Sequence, residues 1–214
     1  MLYFSNQTLY NLFIFTMTPF TPKTFTLPSI EGISEKTTET HLKLYEGYVK
    51  HASALLDLMD KQAAAGEKEA YGFSTIQRRF AFEFDGMRNH EYYFMLLEDG
   101  PKALPADSAL FKAISETWGS VDAFLERFRL IASARGVGWA MLLYDKHTDR
   151  LLTQWVDEQH LGHLTGLMPI IPLDLWEHAY LLDYAPADKA NYVDAYLAAM
   201  NWETANEWFE NVRM

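Results

Sequence analysis

The chain has 214 residues, 49% of them hydrophobic, which is enough to bury a sizeable core in one large domain or two small ones. A formal charge of −11 and a sequence pI near 5.0 argue against nucleic acid as a partner, since phosphate binding needs a basic face and no Lys/Arg cluster exceeds Arg78-Arg79. There is no cysteine, hence no disulfide and no thiolate nucleophile, and any metal must be held by His, Asp or Glu.

Met1 to Thr16 carries no charged side chain, and it lacks both the basic start and the small-residue cleavage site of a secretory signal. It reads as a loose extension, with Met17 a plausible true beginning. No run reaches the roughly 18 apolar residues needed to span a bilayer, so no membrane is expected as a partner and the expected location is cytoplasmic. Thr21 to Ile33, punctuated by Pro22, Pro28 and Gly32, predicts an extended lead-in. Ser34 is a candidate N-cap for a long helix with apolar residues at Leu42, Tyr45, Val49, Leu55, Leu56 and Met59, bent at Gly47. Lys61 to Gly66 is an alanine-rich connection, and Ser74 to Leu97 predicts a second helix forming an antiparallel hairpin with the first.

Gly100, Pro101 and Pro105 mark the clearest boundary. It suggests residues 1–24 as extension, 25–100 as a helical hairpin domain and 101–214 as a second domain. Ala106 to Thr117 and Ser120 to Ala134 predict two shorter helices separated by Gly119. The period then switches to two. Gly138 to Tyr144 and Arg150 to Trp155 read as a β-hairpin around a polar turn, and Leu167 to Leu173 as a third strand, placed at an edge by Pro169 and Pro172. Helical patterns follow over Trp176 to Tyr184 and Tyr192 to Phe209. The predicted class is α+β: an N-terminal antiparallel helical hairpin, then an α/β domain with a three-stranded antiparallel sheet.

Chemistry concentrates in Asp174-Leu175-Trp176-Glu177-His178-Ala179-Tyr180, which sets two carboxylates and an imidazole beside two aromatic rings at a strand end. Of the seven histidines, His51 and His147 look like surface residues, whereas His41 and His90 each sit on an aromatic stripe of a separate long helix. His41, His90, Asp174 and His178 would supply three neutral nitrogens and one anionic oxygen. That set suits a first-row transition metal such as Mn or Fe with one position left open for solvent. Asp/His pairs four residues apart also occur on solvated helix faces, so spacing alone leaves both readings open.

The residues from about Phe25 to Trp208 resemble the iron/manganese superoxide dismutases. The segment Asp174 to Tyr180 looks like that family's D-x-W-E-H-A-Y signature, supported in order by His41 with Gly47-Tyr48-Val49, by Asn89-His90, by Gly138-Trp139-Ala140 and by Asn201-Trp202-Glu203. The resemblance implies one Mn or Fe ion per subunit held by His41, His90, Asp174 and His178, superoxide as the substrate, and a homodimer or tetramer. Tyr48 would be the phenol near the solvent channel. Glu177 would hydrogen-bond the ligand histidine of a partner subunit, and some of Trp139, Trp176 and Trp202 would wall the site. The alternative is a non-catalytic dimeric module that keeps the fold; its expected mark is a lost ligand, and none of the four is lost.

Several positions depart from the family pattern. Tyr48 follows His41 one residue sooner than usual. The glutamine that contacts metal-bound solvent is absent from the second helix, where Gly86 stands, so the role falls to the loop Asp157 to His163. There His160 is the expected residue, with Gln159 its rival. A histidine changes protonation in a pH range where an amide does not, which leaves the metal open. Tyr45 and Leu181 replace both sides of a usual contact between subunits, and Lys189 stands where a substrate-channel arginine is usual.

Overall fold

A computed structural model describes residues 17–66 and 71–214. The predicted extension over residues 1–16 lies outside that range. Two long helices, α1 (Glu35–Ala65) and α2 (Tyr71–Met95), form the hairpin. Then come α3 (Ala109–Trp118), α4 (Val121–Ala132), strands β1 (Gly138–Asp145), β2 (Arg150–Asp157) and β3 (Met168–Asp174), and helices α5 (Lys189–Ala199) and α6 (Trp202–Arg213). Short 3-10 turns cover Glu177–Ala179 and Pro186–Asp188. This is the α+β architecture read from the sequence.

Helix α1 starts where Ser34 Oγ accepts the Thr37 N–H at 3.2 Å, and ends at Gly66, whose left-handed φ of 75° lets its N–H turn back to the Ala63 carbonyl. Its buried residues Thr37, His41, Tyr45, Tyr48, Val49, Ala52 and Leu56 fall at helical spacing on one stripe. The helix runs through Gly47 without a break. The lead-in lies along α1: the Phe20 N–H donates to Ser53 Oγ and the Lys23 N–H to the Tyr45 hydroxyl. These bonds tie an extended segment without strand partners to the helix face.

The sheet order is β2-β1-β3, all antiparallel. Strand β1 is buried on both faces from Gly138 to Tyr144, which accounts for its continuous apolar sequence. Gly138 is required there, because a β-carbon would collide with the Val156 carbonyl oxygen of β2. β3 is an edge strand, as its prolines predict, and the register breaks between Leu142 and Leu143, where Ile170 is left without a partner on β1. The bulge lies next to Pro169, Pro172 faces Met141 in regular register, and Asp174 ends the strand opposite Trp139.

Two predicted helices change shape. The Trp176 to Tyr184 pattern yields only the Glu177–Ala179 turn followed by further turns, because Asp174 Oδ1 takes the Trp176 N–H at 2.9 Å and Tyr180, at φ −144°, interrupts the helical course. The Tyr192 to Phe209 pattern divides into α5 and α6 at Met200-Asn201. Asn201 causes the division. Its side-chain oxygen caps α6 through the Thr204 N–H, while its own N–H and amide donate to the Leu96 and Glu98 carbonyls beyond the end of α2. The start of α6 is thereby fastened to the hairpin.

Candidate metal centre

Four elements meet at one point. α1 brings His41, α2 brings His90, β3 ends on Asp174, and the 3-10 turn after it carries His178. His41, His90 and Asp174 are buried and His178 is 17% exposed at its side chain. The Nε2 atoms of His178, His41 and His90 lie 3.0, 3.1 and 3.3 Å from a single oxygen, Asp174 Oδ2. One ligand atom from each of the four residues falls within 4.8 Å of all the others. The other carboxylate oxygen is fixed by the Trp176 N–H.

The tautomer of His90 follows from its surroundings. Its Nδ1 sits 2.5 Å from the Gly86 carbonyl, one turn back along α2, and must donate there. Nε2 therefore presents a lone pair toward Asp174 Oδ2, and this buried atom is in no hydrogen bond among the described residues. Two electron-rich atoms facing each other in a dry pocket repel unless a cation lies between them. The donor set, the tautomer and the orphaned nitrogen all fit a bound metal ion.

Protonation tells the same story. Burial, with the neighbouring His90 and His178, pushes the His41 imidazole down to about 3 against the pull of Asp174, so it stays neutral as a ligand should. Burial alone would raise the carboxyl of Asp174, but the imidazoles of His178, His41 and His90 outweigh it and hold the group well below the usual carboxylate range.

Around these four stands a hydrogen-bonded wall. Trp139 Nε1 donates to Gln159 Oε1 at 2.9 Å, and Gln159 Nε2 donates to the Tyr48 hydroxyl at 3.0 Å. Gln159 is fully buried, and its carbonyl accepts Asn89 Nδ2. Trp139 packs edge-on to His90, and Trp176 stacks 5.8 Å from His178. Tyr48 lies seven positions after His41, about two turns of unbroken helix, so the short spacing leaves both on one face. Burial, then the charges of Asp174 and Glu83, raises the Tyr48 phenol, which keeps its proton.

The residue expected in this wall was His160, and the one that occupies it is Gln159. Glu158 takes a left-handed backbone at φ 51°, its N–H bonded to the Val137 carbonyl and its carbonyl to Trp176 Nε1. That turn rotates Gln159 inward. The ring of His160 instead meets Phe82 at 5.6 Å, and it makes no hydrogen bond among the described residues. Glu177 is exposed, without a side-chain hydrogen bond among the described residues, and His178 Nδ1 likewise has no partner there. Lys189 donates to the Ala134 carbonyl at 2.9 Å, a bond that fixes its ammonium on α4's C-terminal side. Tyr45 accepts the Lys23 N–H and donates to the buried Glu91.

Sequence reasoning gave no part to Phe82, whose ring touches Tyr48, His160 and Trp176 together. The signal was its spacing from Gly86 and His90, four and eight residues along α2.

Residues 106–208 match the family model for the iron/manganese superoxide dismutases, C-terminal domain. The chain is 35% identical over 187 residues to the iron superoxide dismutase of Aquifex aeolicus, covering 85% of this chain and 86% of that one. It is 34% identical over 164 residues to the manganese superoxide dismutase of Mycolicibacterium fortuitum, covering 76% and 77%. A third relative, the iron superoxide dismutase of Cupriavidus metallidurans, is 32% identical over 179 residues, covering 82% and 88%. The chain belongs to the iron/manganese superoxide dismutase family.

Proposed function

We propose that His41, His90, Asp174 and His178 bind one manganese or iron ion and that the chain is a superoxide dismutase. The observation that carries this reading is the convergence of three imidazole Nε2 atoms, one of them orphaned, on one oxygen of Asp174. When bound, the ion supplies a one-electron couple: one superoxide is oxidised to dioxygen, and a second takes up that electron with two protons to leave as hydrogen peroxide.

The chain's residues arrange this chemistry. Asp174 brings the one anionic donor, and Gly86 orients His90 through its carbonyl. Trp139 and Trp176 exclude bulk water from the imidazole faces. Gln159, in place of His160, is the amide facing the bound solvent in this reading; Trp139 holds its oxygen, and its N–H group reaches Tyr48. Because Tyr48 accepts from Gln159, its own O–H remains available as a hydrogen-bond donor toward the substrate side of the site. Glu177, exposed beside the site, is assigned to a second copy of the chain, where it accepts from the free Nδ1 of that copy's ligand histidine; a homodimer is the smallest assembly that permits this. In the same reading, the unit over residues 25–100 gives two ligands and that over 101–214 the other two.

Among the described residues no helix is long and apolar enough to cross a membrane. The test is purified chain loaded separately with manganese and iron, with metal content and superoxide consumption measured together. Consumption by either form, abolished in His90→Ala along with metal, is expected. No consumption by either loaded form would overturn the assignment.

A further inference from the structure

Superoxide is an anion, and a chain of net charge −11 repels it at long range. Rapid capture then needs a cation where the anion enters. Lys189, the residue that sequence reasoning offered, has its ammonium bound to the Ala134 carbonyl. Arg88 lies over Phe84 and pairs with Glu91 beside Lys23 and Tyr45, away from Phe82 and Trp176.

The outward course of α2 offers another. From His90 the helix runs back through Gly86, which abuts the Tyr48 ring, to Phe82, which touches Tyr48, His160 and Trp176. One turn farther out lies Arg79, its guanidinium carbon 3.8 Å over the centre of the Phe82 ring and its side chain 53% exposed. The stacking holds a planar cation on the aromatic wall. Glu83 fixes its azimuth from behind: Arg79 Nε and Nη2 lie 2.8 and 2.6 Å from Glu83 Oε1, and that carboxylate is buried. Nη1 makes no hydrogen bond among the described residues. His51 also faces Glu83, at 3.6 Å.

We infer that Arg79, stacked on Phe82 and braced by Glu83, is the cation that draws the substrate anion toward the Tyr48 side of the metal centre. It positions substrate and takes no part in the redox step. The buried Glu83 does not cancel this effect for an anion arriving from solvent, which meets the exposed edge of the guanidinium before the carboxylate behind it. The inference rests on the dismutase reading for its substrate and on the Arg79–Phe82–Tyr48 contacts for its place.

The test follows superoxide decay after rapid mixing over a range of ionic strength, using metal-loaded wild type, Arg79→Gln, Arg79→Lys and Arg129→Gln. Arg129 pairs with Asp194 at the surface and serves as the control for net charge. Arg79→Gln should lower kcat/KM about two- to threefold at low salt and flatten its salt dependence while leaving kcat unchanged. Arg79→Lys should retain most of both, and Arg129→Gln should change less than Arg79→Gln. A salt dependence in Arg79→Gln equal to wild type, or a loss no larger than that of Arg129→Gln, would overturn the inference. Azide affinity, read from the visible absorption of the iron-loaded protein, separates the two claims. If the wild type consumes no superoxide, the dismutase reading fails; a fall in azide affinity on Arg79→Gln would still uphold anion capture by Arg79, and unchanged affinity would overturn it.

Discussion

The ring of Tyr48 occupies the space that any side chain at residue 86 would need: a β-carbon on Gly86 would lie 2.6 Å from Tyr48 Cδ1. Gly86 thus serves the centre twice, its carbonyl selecting the tautomer of His90 and its missing side chain admitting the phenol.

Gly86→Ala should therefore expel the Tyr48 ring and break its bond to Gln159 without removing a ligand. Overpacking of this kind costs about 1–3 kcal/mol, to be read as a lower urea midpoint. Metal content should stay near one ion per chain while turnover falls. A variant with wild-type turnover would show that Tyr48 can shift at no functional cost.

Gln159→Leu removes both the acceptor for the Trp139 indole and the donor to Tyr48. Leaving buried polar groups unpaired costs about 1–3 kcal/mol, and turnover should drop with it. His160→Ala breaks no hydrogen bond among the described residues and should have the smaller effect on both. Steady-state assays and chemical denaturation of the two variants decide the order, and the reverse order would return the role to His160.

Asp174→Asn keeps the side-chain shape and removes the one anionic donor. Metal retained after dialysis should fall at least about tenfold, as ligand charge and softness dictate affinity. Elemental analysis measures this, with circular dichroism to check that the fold is kept.

Acid should destabilise the metal-free chain through the same residues. The His41 imidazole titrates at 6.5 when unfolded and at about 3 when folded. Between those values the unfolded state binds a proton that the folded state refuses, so stability declines as pH falls from 6.5 toward 3. Asp174, depressed in the folded state, adds a loss in the same direction once pH drops below its ordinary 3.8. Urea midpoints of metal-free protein at pH 7, 5 and 4 should decrease in that order. A midpoint flat over this range would show that His41 is protonated in the folded apoprotein.

Glu177→Ala should weaken self-association, because the exposed carboxylate has no hydrogen-bond partner in its own chain among the described residues. Sedimentation velocity across a dilution series would detect a shift toward monomer. An unchanged distribution would remove Glu177 from any interface.

The two long helices and the strand pairing were legible because their signals are local: the Ser34 cap, the 3.6-residue stripe of α1 and the apolar run of β1. Pro169 and Pro172 placed β3 at an edge for the reason that holds in the fold, the lack of N–H donors. The centre was legible as a motif, but Gln159 and His160 are neighbours, and their choice depends on one left-handed residue, Glu158, whose backbone is set by Val137 and Trp176. The division of α5 from α6 escaped notice for a similar reason, since Asn201 acts through carbonyls about a hundred residues earlier.

The bond between His41 and Asp174 spans 133 residues of chain. At about 5–20 residues per second, synthesis keeps His41 waiting on the order of ten seconds before Asp174 exists at all. During that interval the first helices have a ligand nitrogen but no anion to face it. A pocket with all four ligands is therefore a late event in the life of each new chain.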